Sequence, residues 1–442
     1  MILANTPPRV AVTLPPADWF GGNDILFARE MIRAIRDLGI EVFEFDTTSF
    51  ATLDQNKLDR DLAALMEFAP TVAFGTPNGG YALMCEAPDR NGEMCNIFAD
   101  FLGIPTIVIW DDPFTQFPNL YLKPLPRRPA ESTGNALARI NERVSRSLFF
   151  HCAHDSGSVA AARKVGILAD AKIRNDQIPF HPAYREYGDA HPHDGRYDED
   201  VIFAGNVYPR SASLIDRDQL PFYTTLEESV FSAVEREPMR PIWDIFIEKL
   251  ETIPESERIA FNTVPDQTYF WTLARDFLFL LGNSRWRLGM LSKIEHGVAF
   301  YGGSAETSSI PLIQETPNVT YRRSVDFSRE LPALYARTKV AVDVRNGVTF
   351  AGAPAKLLNC FVAGGFMLCG TMGDFIARLG DDVRRIMYHD AASLNERIDY
   401  FLAHEKERRE LAAHFRALFI ERFSLETYMA SVFRDLAAAY PD

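Results

Sequence analysis

Short apolar runs alternate with amphipathic stretches along much of this chain, and that alternation limits its fold more than any other feature. RVAVTL (9–14) reads as a buried strand, DILFAREMIRAIRDLG (24–39) as a helix closed by Gly39, and IEVFEFD (40–46) as the next strand. The rhythm returns in PTVAFGT (70–76), MCNIFADFLG (94–103), IPTIVIWDD (104–112), ALARINERVS (136–145), SLFFHCA (147–153) and SGSVAAARKVG (156–166). A strand joined to the next through a helix pairs with it in parallel, and a parallel sheet needs helices over both faces. The fold class is therefore α/β.

With 442 residues, 47% of them apolar, the chain is long enough for two domains with a core each. The segment IPFHPAYREYGDAHPHDGRYDED (178–200) is rich in Pro, His, Gly and Asp, after which the pattern restarts at VIFAGNVY (201–208). We expect a first domain over 1–180, a hinge or linker over 181–200 and a second domain over 201–423. A mostly helical insertion fills about 224–296, and a helix ends the chain at 424–442. Ser393 and Glu396 have the spacing of a capping box, and Ser424 is placed to cap the last helix.

The formal net charge of −14 opposes nucleic-acid binding, because neutralising phosphates takes a basic face. The basic pieces KPLPRRP (123–129) and RWR (285–287) read as a solvated loop or helix face. The five cysteines are widely spaced with no C-x-x-C pair, which indicates neither a disulfide framework nor a zinc site and fits a reducing cytoplasm. No stretch has the length of a membrane span, so any membrane contact is expected to be peripheral.

Two turns have the composition of phosphate cradles. RNGVTFAGAPAK (345–356) follows the strand KVAVDV and leads into a helix with Pro354 at its start; Gly352 relaxes the turn, and Lys356 and Arg345 add charge. FAGNVYPRS (203–211) ends another strand with Gly205 and Asn206, with Arg210 close behind. Neither is a Walker sequence or a G-x-G-x-x-G, and each taken alone reads more readily as an ordinary turn beside a solvated cation. Tyr301 and Gly302, with Gly303, close a third strand where a base could lie.

From DVIFAGNVYPR, through YRRSVDFSRELPALYARTKVAVDVRNGVTFAGAPAKLLNCFVAGGFMLCGTMGDF, to YHDAASLNERIDYFLAHEKERRELAAHFRALFIERFS, the chain resembles the C-terminal domain of CgeB-like glycosyltransferases, within the GT-B group. IPTIVIWDDPF, CAHDSGSVAAARKVGI and IPFHPAYR resemble that family's first domain and linker more loosely. The resemblance implies two Rossmann-like domains facing across a cleft, with a helical insertion in the second. It further implies a nucleoside-diphosphate sugar (UDP-, GDP- or dTDP-linked) as donor, no cofactor or metal, and a glycan, small-molecule or protein acceptor. Many retaining members carry two glutamates before the A-G-G turn; here the second position is Asn359 and the one eight residues earlier is Ala351.

Transfer needs charge stabilisation on the leaving diphosphate and, in an inverting enzyme, a base near the acceptor hydroxyl. Lys356, Gly205, Asn206, Arg210, Tyr301, Gly302, Arg345, Gly352 and Asn359 are the donor-side candidates. Asp112 is the preferred base, although an aspartate before Pro113 is equally a turn residue; Asp111, Asp18, Asp24 and His181 are the others. His151 and His154 lack a third ligand at metal-binding spacing. Two alternatives stay open: an epimerase or hydrolase of nucleotide sugars on the same fold, and a degenerate transferase acting as an interaction module.

Overall fold

The computed structural model describes residues 7–15, 23–52, 54–75, 82–83, 85–88, 94–110, 138, 141–164, 166–192, 194–208, 222–237, 240, 242–254, 284–302, 309–344 and 351–441. The chain divides into two compact units, the first comprising 1–154, 162–178 and 424–442 and the second 155–161 and 179–423.

The first unit is built on six parallel strands: β1 (Arg9–Leu14), β2 (Glu41–Asp46), β3 (Val72–Gly75), β4 (Thr106–Trp110), β5 (Phe149–Ala153) and β6 (Lys172–Asn175), in the order β2-β1-β3-β4-β5-β6. Every residue of β4 and β5 is buried, which is why TIVIW and FFHCA run without polar alternation. Helix α1 (Asn23–Asp37) follows β1, and Gly39, at φ +76°, turns the chain into β2. The segment MCNIFADFLG, which falls between two strands in the sequence rhythm, does not form a regular α-helix. Met94–Asn96 pairs with Glu86–Pro88 as an antiparallel ribbon, and a single π-helical turn, Ile97–Phe101, follows. Asn96 makes the switch: its Oδ1 accepts the N–H groups of Phe98 and Ala99, each at 3.1 Å.

The second unit has its own six parallel strands: β7 (Glu199–Ala204), β8 (Val298–Tyr301), β9 (Val319–Arg323), β10 (Thr338–Asp343), β11 (Met367–Gly370) and β12 (Met387–Tyr388). Their order is β9-β8-β7-β10-β11-β12, the doubly wound arrangement of nucleotide-binding folds. Within residues 181–200 lies helix α2 (Pro182–Ala190), with His181 as its N-cap and Tyr184 fully buried in the second unit's core. The helical stretch near 224–296 includes helices Tyr223–Arg236 and Ile242–Glu251 and the short α3 (Arg287–Leu291).

Helix α4 (Ala355–Val362) buries Leu357, Leu358, Phe361 and Val362 completely. At roughly 1.5–3 kcal/mol for each such side chain, that face holds its first turn in place. Helix α5 (Ala391–Ala403) has a capping box set three residues earlier than its Ser393/Glu396 spacing suggests. Asp390 caps, receiving the Ser393 N–H at 2.7 Å, and Ser393 Oγ accepts the Asp390 N–H at 3.1 Å. Aspartate reaches the N3 amide as well as serine does, so Ser393 becomes the N3 partner. Helix α6 (Glu405–Arg422) follows. Helix α7 (Leu425–Ala439), capped by Ser424 as expected, belongs to the first unit, where Leu425, Tyr428, Met429, Val432 and Leu436 join the core under β1, β3 and β4. No helix among the described residues is long and apolar enough to cross a membrane.

Candidate functional site

In the second sheet the chain builds outward from β7 to β8 and β9, then returns to place β10 on the other side of β7. Between β7 and β10 the winding reverses, and ligands of such sheets bind outside the carboxyl ends of the strands at that point. Those ends are Ala204 and Asp343, so Gly205, Asn206 and Val344 edge the crevice, and Lys356 enters it from the first turn of α4.

Lys356 Nζ pairs with Asp343 Oδ1 and lies 5.0 Å from the centroid of the Phe203 ring. Its side chain is 19% exposed, against 2% for Asp343. A lysine carries three N–H donors, and Asp343 takes one. Burial pushes the ammonium below its ordinary range; Asp343 opposes that shift and the Arg287 charge adds to it. Asp343 Oδ2 is buried without a hydrogen bond, so Lys356 is the one cation that neutralises this carboxylate directly among the described residues.

Arg287, read from the sequence as part of a solvated piece, is instead 7% exposed. Its Nη1 donates to the Asn206 carbonyl at 2.7 Å and its Nε to the Val344 carbonyl at 3.2 Å. One guanidinium thereby ties the loop after β7 to the loop after β10. The signal was present in RLGMLSKI: Arg287, Met290, Leu291 and Ile294 are all buried, at i, i+3, i+4 and i+7, so the arginine stands on the apolar stripe. Two cations, one carboxylate and the free N–H groups at the start of α4 leave the crevice electropositive, which suits a diphosphate.

The glycines at the mouth answer a steric demand. A Cβ on Gly302, at φ +124°, would lie 2.2 Å from the Gly205 carbonyl oxygen, and Gly205 N–H donates to Tyr301 O at 3.0 Å. The two turns therefore touch backbone to backbone, which no side chain at 302 permits. Tyr301 brings only its main chain to this contact; its hydroxyl donates to Glu199 Oε1 at 2.8 Å, beside Arg322.

The other donor-side candidates are placed differently. Gly352 N–H, with that of Ala351, donates to Asp155 Oδ2 at 3.2 and 3.0 Å. Asn359 is buried and its Oδ1 accepts the His181 N–H at 2.8 Å, while His181 Nδ1 accepts from Ala183 at 3.2 Å. His181 and Asn359 thus join α2 to α4. Arg210, Arg345 and Gly303 lie outside the described residues, as do Asp18, Asp111 and Asp112. Asp24 is the second residue of α1.

In the first unit, one histidine that the sequence offers only as a rejected metal ligand stands at the carboxyl edge of the sheet. His154 follows β5 directly, is buried, and its Nδ1 lies 2.6 Å from the Trp110 carbonyl. A carbonyl only accepts, so Nδ1 is the donor, and Nε2 has no hydrogen-bond partner among the described residues. Its neighbour His151 is different. Nδ1 accepts from Trp110 Nε1 at 2.9 Å, Nε2 donates to Val144 O at 2.7 Å, and burial holds the imidazole down to about 4. Among the described residues no cluster of His, Cys, Asp or Glu has the makings of a metal site.

The architecture is that of the GT-B glycosyltransferases: two α/β units, each with a parallel sheet. A glycosyltransferase from Rickettsia africae aligns at a TM-score of 0.51 with 9% identity, over 99% of both chains. HepE from Anabaena, solved with UDP and glucose, aligns at 0.50 with 11% identity, over 98% of this chain and 100% of its own. Residues 287–434 match the family model described as glycosyl transferase-like, a stretch that includes Arg287, Asp343 and Lys356. No curated protein matches this chain.

Proposed function

We propose that this protein is a glycosyltransferase that moves a hexosyl group from a nucleoside-diphosphate donor, UDP-linked before GDP- or dTDP-linked, to an acceptor hydroxyl. The observation that carries this reading is the meeting of Lys356, Arg287 and the Gly205–Asn206 turn where the winding of the second sheet reverses. As the bond from the anomeric carbon to the diphosphate breaks, negative charge grows on the departing oxygens. Lys356 and the N–H groups of α4 stabilise that charge, in the role a metal ion fills elsewhere.

UDP as the preferred nucleotide is supported by HepE, whose structures contain UDP, glucose or UDP-glucose and whose fold this chain shares. The acceptor oxygen must lose a proton as it bonds to the anomeric carbon. His154 Nε2 suits that role, alongside Asp112. The acceptor class we assign is an envelope glycan, a secondary metabolite or a protein, reached from the cytoplasm, in an enzyme of CgeB-like type.

The test is thermal unfolding with UDP, GDP, dTDP and their common sugar conjugates. A ligand at a hundred times its dissociation constant adds about 2.7 kcal/mol to the native state, a shift that melting curves resolve. One nucleotide family should stabilise the protein and its sugar conjugate should be turned over. A folded protein that responds to none of them is not a nucleotide-sugar enzyme.

A further inference from the structure

A cavity of about 430 Å³ lies at the other end of the second sheet, walled by α2, the start of β10, the turn at 363–366 and α6. Its size is that of a small-ligand site, which runs from roughly 300 to 1,000 Å³. Thr338 and Lys339 in its wall begin β10, whereas Asp343 ends that strand. Five steps of roughly 3.3 Å separate the two ends, so the cavity is about 17 Å along the strand from the Lys356 crevice.

Its charged wall is one-sided: Lys339, Arg408, Arg409 and Arg416 stand against Asp189. Three of the cations have acidic partners: Lys339 with Asp200 at 2.6 Å, Arg416 with Asp189 at 2.5 Å, and Arg409 with Glu405 at 3.8 Å. Arg408 has no acidic partner among the described residues, although it is 2% exposed. Its Nη1 donates to the Phe401 carbonyl and its guanidinium lies 5.1 Å from the Tyr197 ring centroid. Nε and Nη2 make no hydrogen bond among the described residues, and Arg408 lines the cavity. A guanidinium so deeply buried without a counter-charge is costly, and an oxyanion held by its free edge offsets that cost. Beside it the wall is apolar, with Ala336, Ala363, Phe366 and Ala412.

We propose that this cavity is a second binding site, for a multiply charged oxyanion on a small apolar body: the oxyanion on Arg408 Nε and Nη2, the apolar part against Phe366 and the alanines. A soluble phosphate ester and an anionic lipid headgroup both present this chemistry. The inference is independent of the reaction proposed above.

Calorimetric titration with phenyl phosphate tests it, on the wild type, on Arg408→Met and on Ala413→Trp. Methionine keeps an apolar stem beside Tyr197 but removes the charge. Ala413 is an exposed position on α6 at the cavity's edge, so tryptophan there fills the space and leaves Arg408 untouched. Wild type should bind, and each folded variant should lose at least tenfold in affinity. Absence of binding to wild type, or equal binding by both variants, overturns the proposal. Sedimentation with phosphatidic acid but not phosphatidylcholine vesicles, abolished in both variants, supports the site and assigns a lipid headgroup. Phenyl phosphate binding without vesicle binding supports it and assigns a soluble ligand.

Discussion

Replacing Lys356 by methionine removes two things at once, and a second substitution separates them. Asp343 is 1% exposed, its Oδ2 has no hydrogen bond, and Lys356 is its direct counter-charge. Breaking a buried pair from one side costs roughly 3–5 kcal/mol, because the remaining charge has no compensation. At about 2–4 °C per kcal/mol for a unit of this size, the melting temperature of Lys356→Met should fall by roughly 6–20 °C. The double variant Asp343→Asn/Lys356→Met no longer leaves the Asp343 charge uncompensated, although Arg287 then loses the carboxylate beside it, so it should recover part of that loss. Its affinity for UDP should not recover. A hydrogen bond to a charged group contributes about 1.5–3 kcal/mol, so the dissociation constant should rise roughly 10- to 150-fold in both variants. Asp343→Asn alone keeps the ammonium and removes the carboxylate that competes for it, so UDP should bind at least as tightly as to wild type. Differential scanning fluorimetry reads the first quantity and calorimetric titration the second. A single variant as stable as wild type, or a double variant that binds UDP normally, refutes the reasoning.

Two predictions concern the first unit. His151 is held at about 4 by burial against an ordinary 6.5, so the unfolded chain takes up its proton first. The contribution is fully present above pH 6.5 and is lost as pH falls towards 4, about 3 kcal/mol in all. Protonation would also aim an Nδ1–H at the Trp110 indole N–H. Urea unfolding at pH 7 and pH 4.5 should show this loss in wild type and a smaller one in His151→Asn; equal losses count against the assignment. For His154, asparagine retains a donor towards the Trp110 carbonyl but has no counterpart of Nε2. His154→Asn should lower kcat for sugar transfer by roughly 10²- to 10⁴-fold with donor affinity unchanged, whereas unaltered turnover removes His154 from the base's role.

The alternation of strands and helices was legible because a parallel sheet covered on both faces leaves its strands buried without polar alternation, as in TIVIW and FFHCA. MCNIFADFLG was less legible because its apolar spacing fits a helix while Asn96 breaks the run, and a cap in mid-segment outweighs periodicity. Residues 181–200 looked like a linker from their prolines and histidines, yet His181-Pro182 is a helix start: an N-cap followed by proline at the first position. Lys356 and the Gly205–Asn206 turn were legible one at a time. That they share one crevice depends on strand order, which local pattern does not encode.

Asp343 is the residue whose absence from the sequence reading is most instructive. KVAVDV was read as a strand in a doubly covered sheet, and all of β10 but Lys339 is in fact buried. An ionised carboxylate at the end of such a strand demands a cation, since its burial alone would cost several kcal/mol. The next lysine along the chain is Lys356, thirteen residues on, past a glycine-containing turn and inside the first turn of the following helix. In a β-α unit that turn folds the helix start back beside the strand's carboxyl end, so the demand for a counter-charge and the position of the lysine point to the same pair. A buried acid closing a strand and a cation opening the next helix together are therefore more specific than the glycine turn between them. They locate Lys356 by need as well as by placement, and what the ammonium does beyond neutralising Asp343 is what the double variant measures.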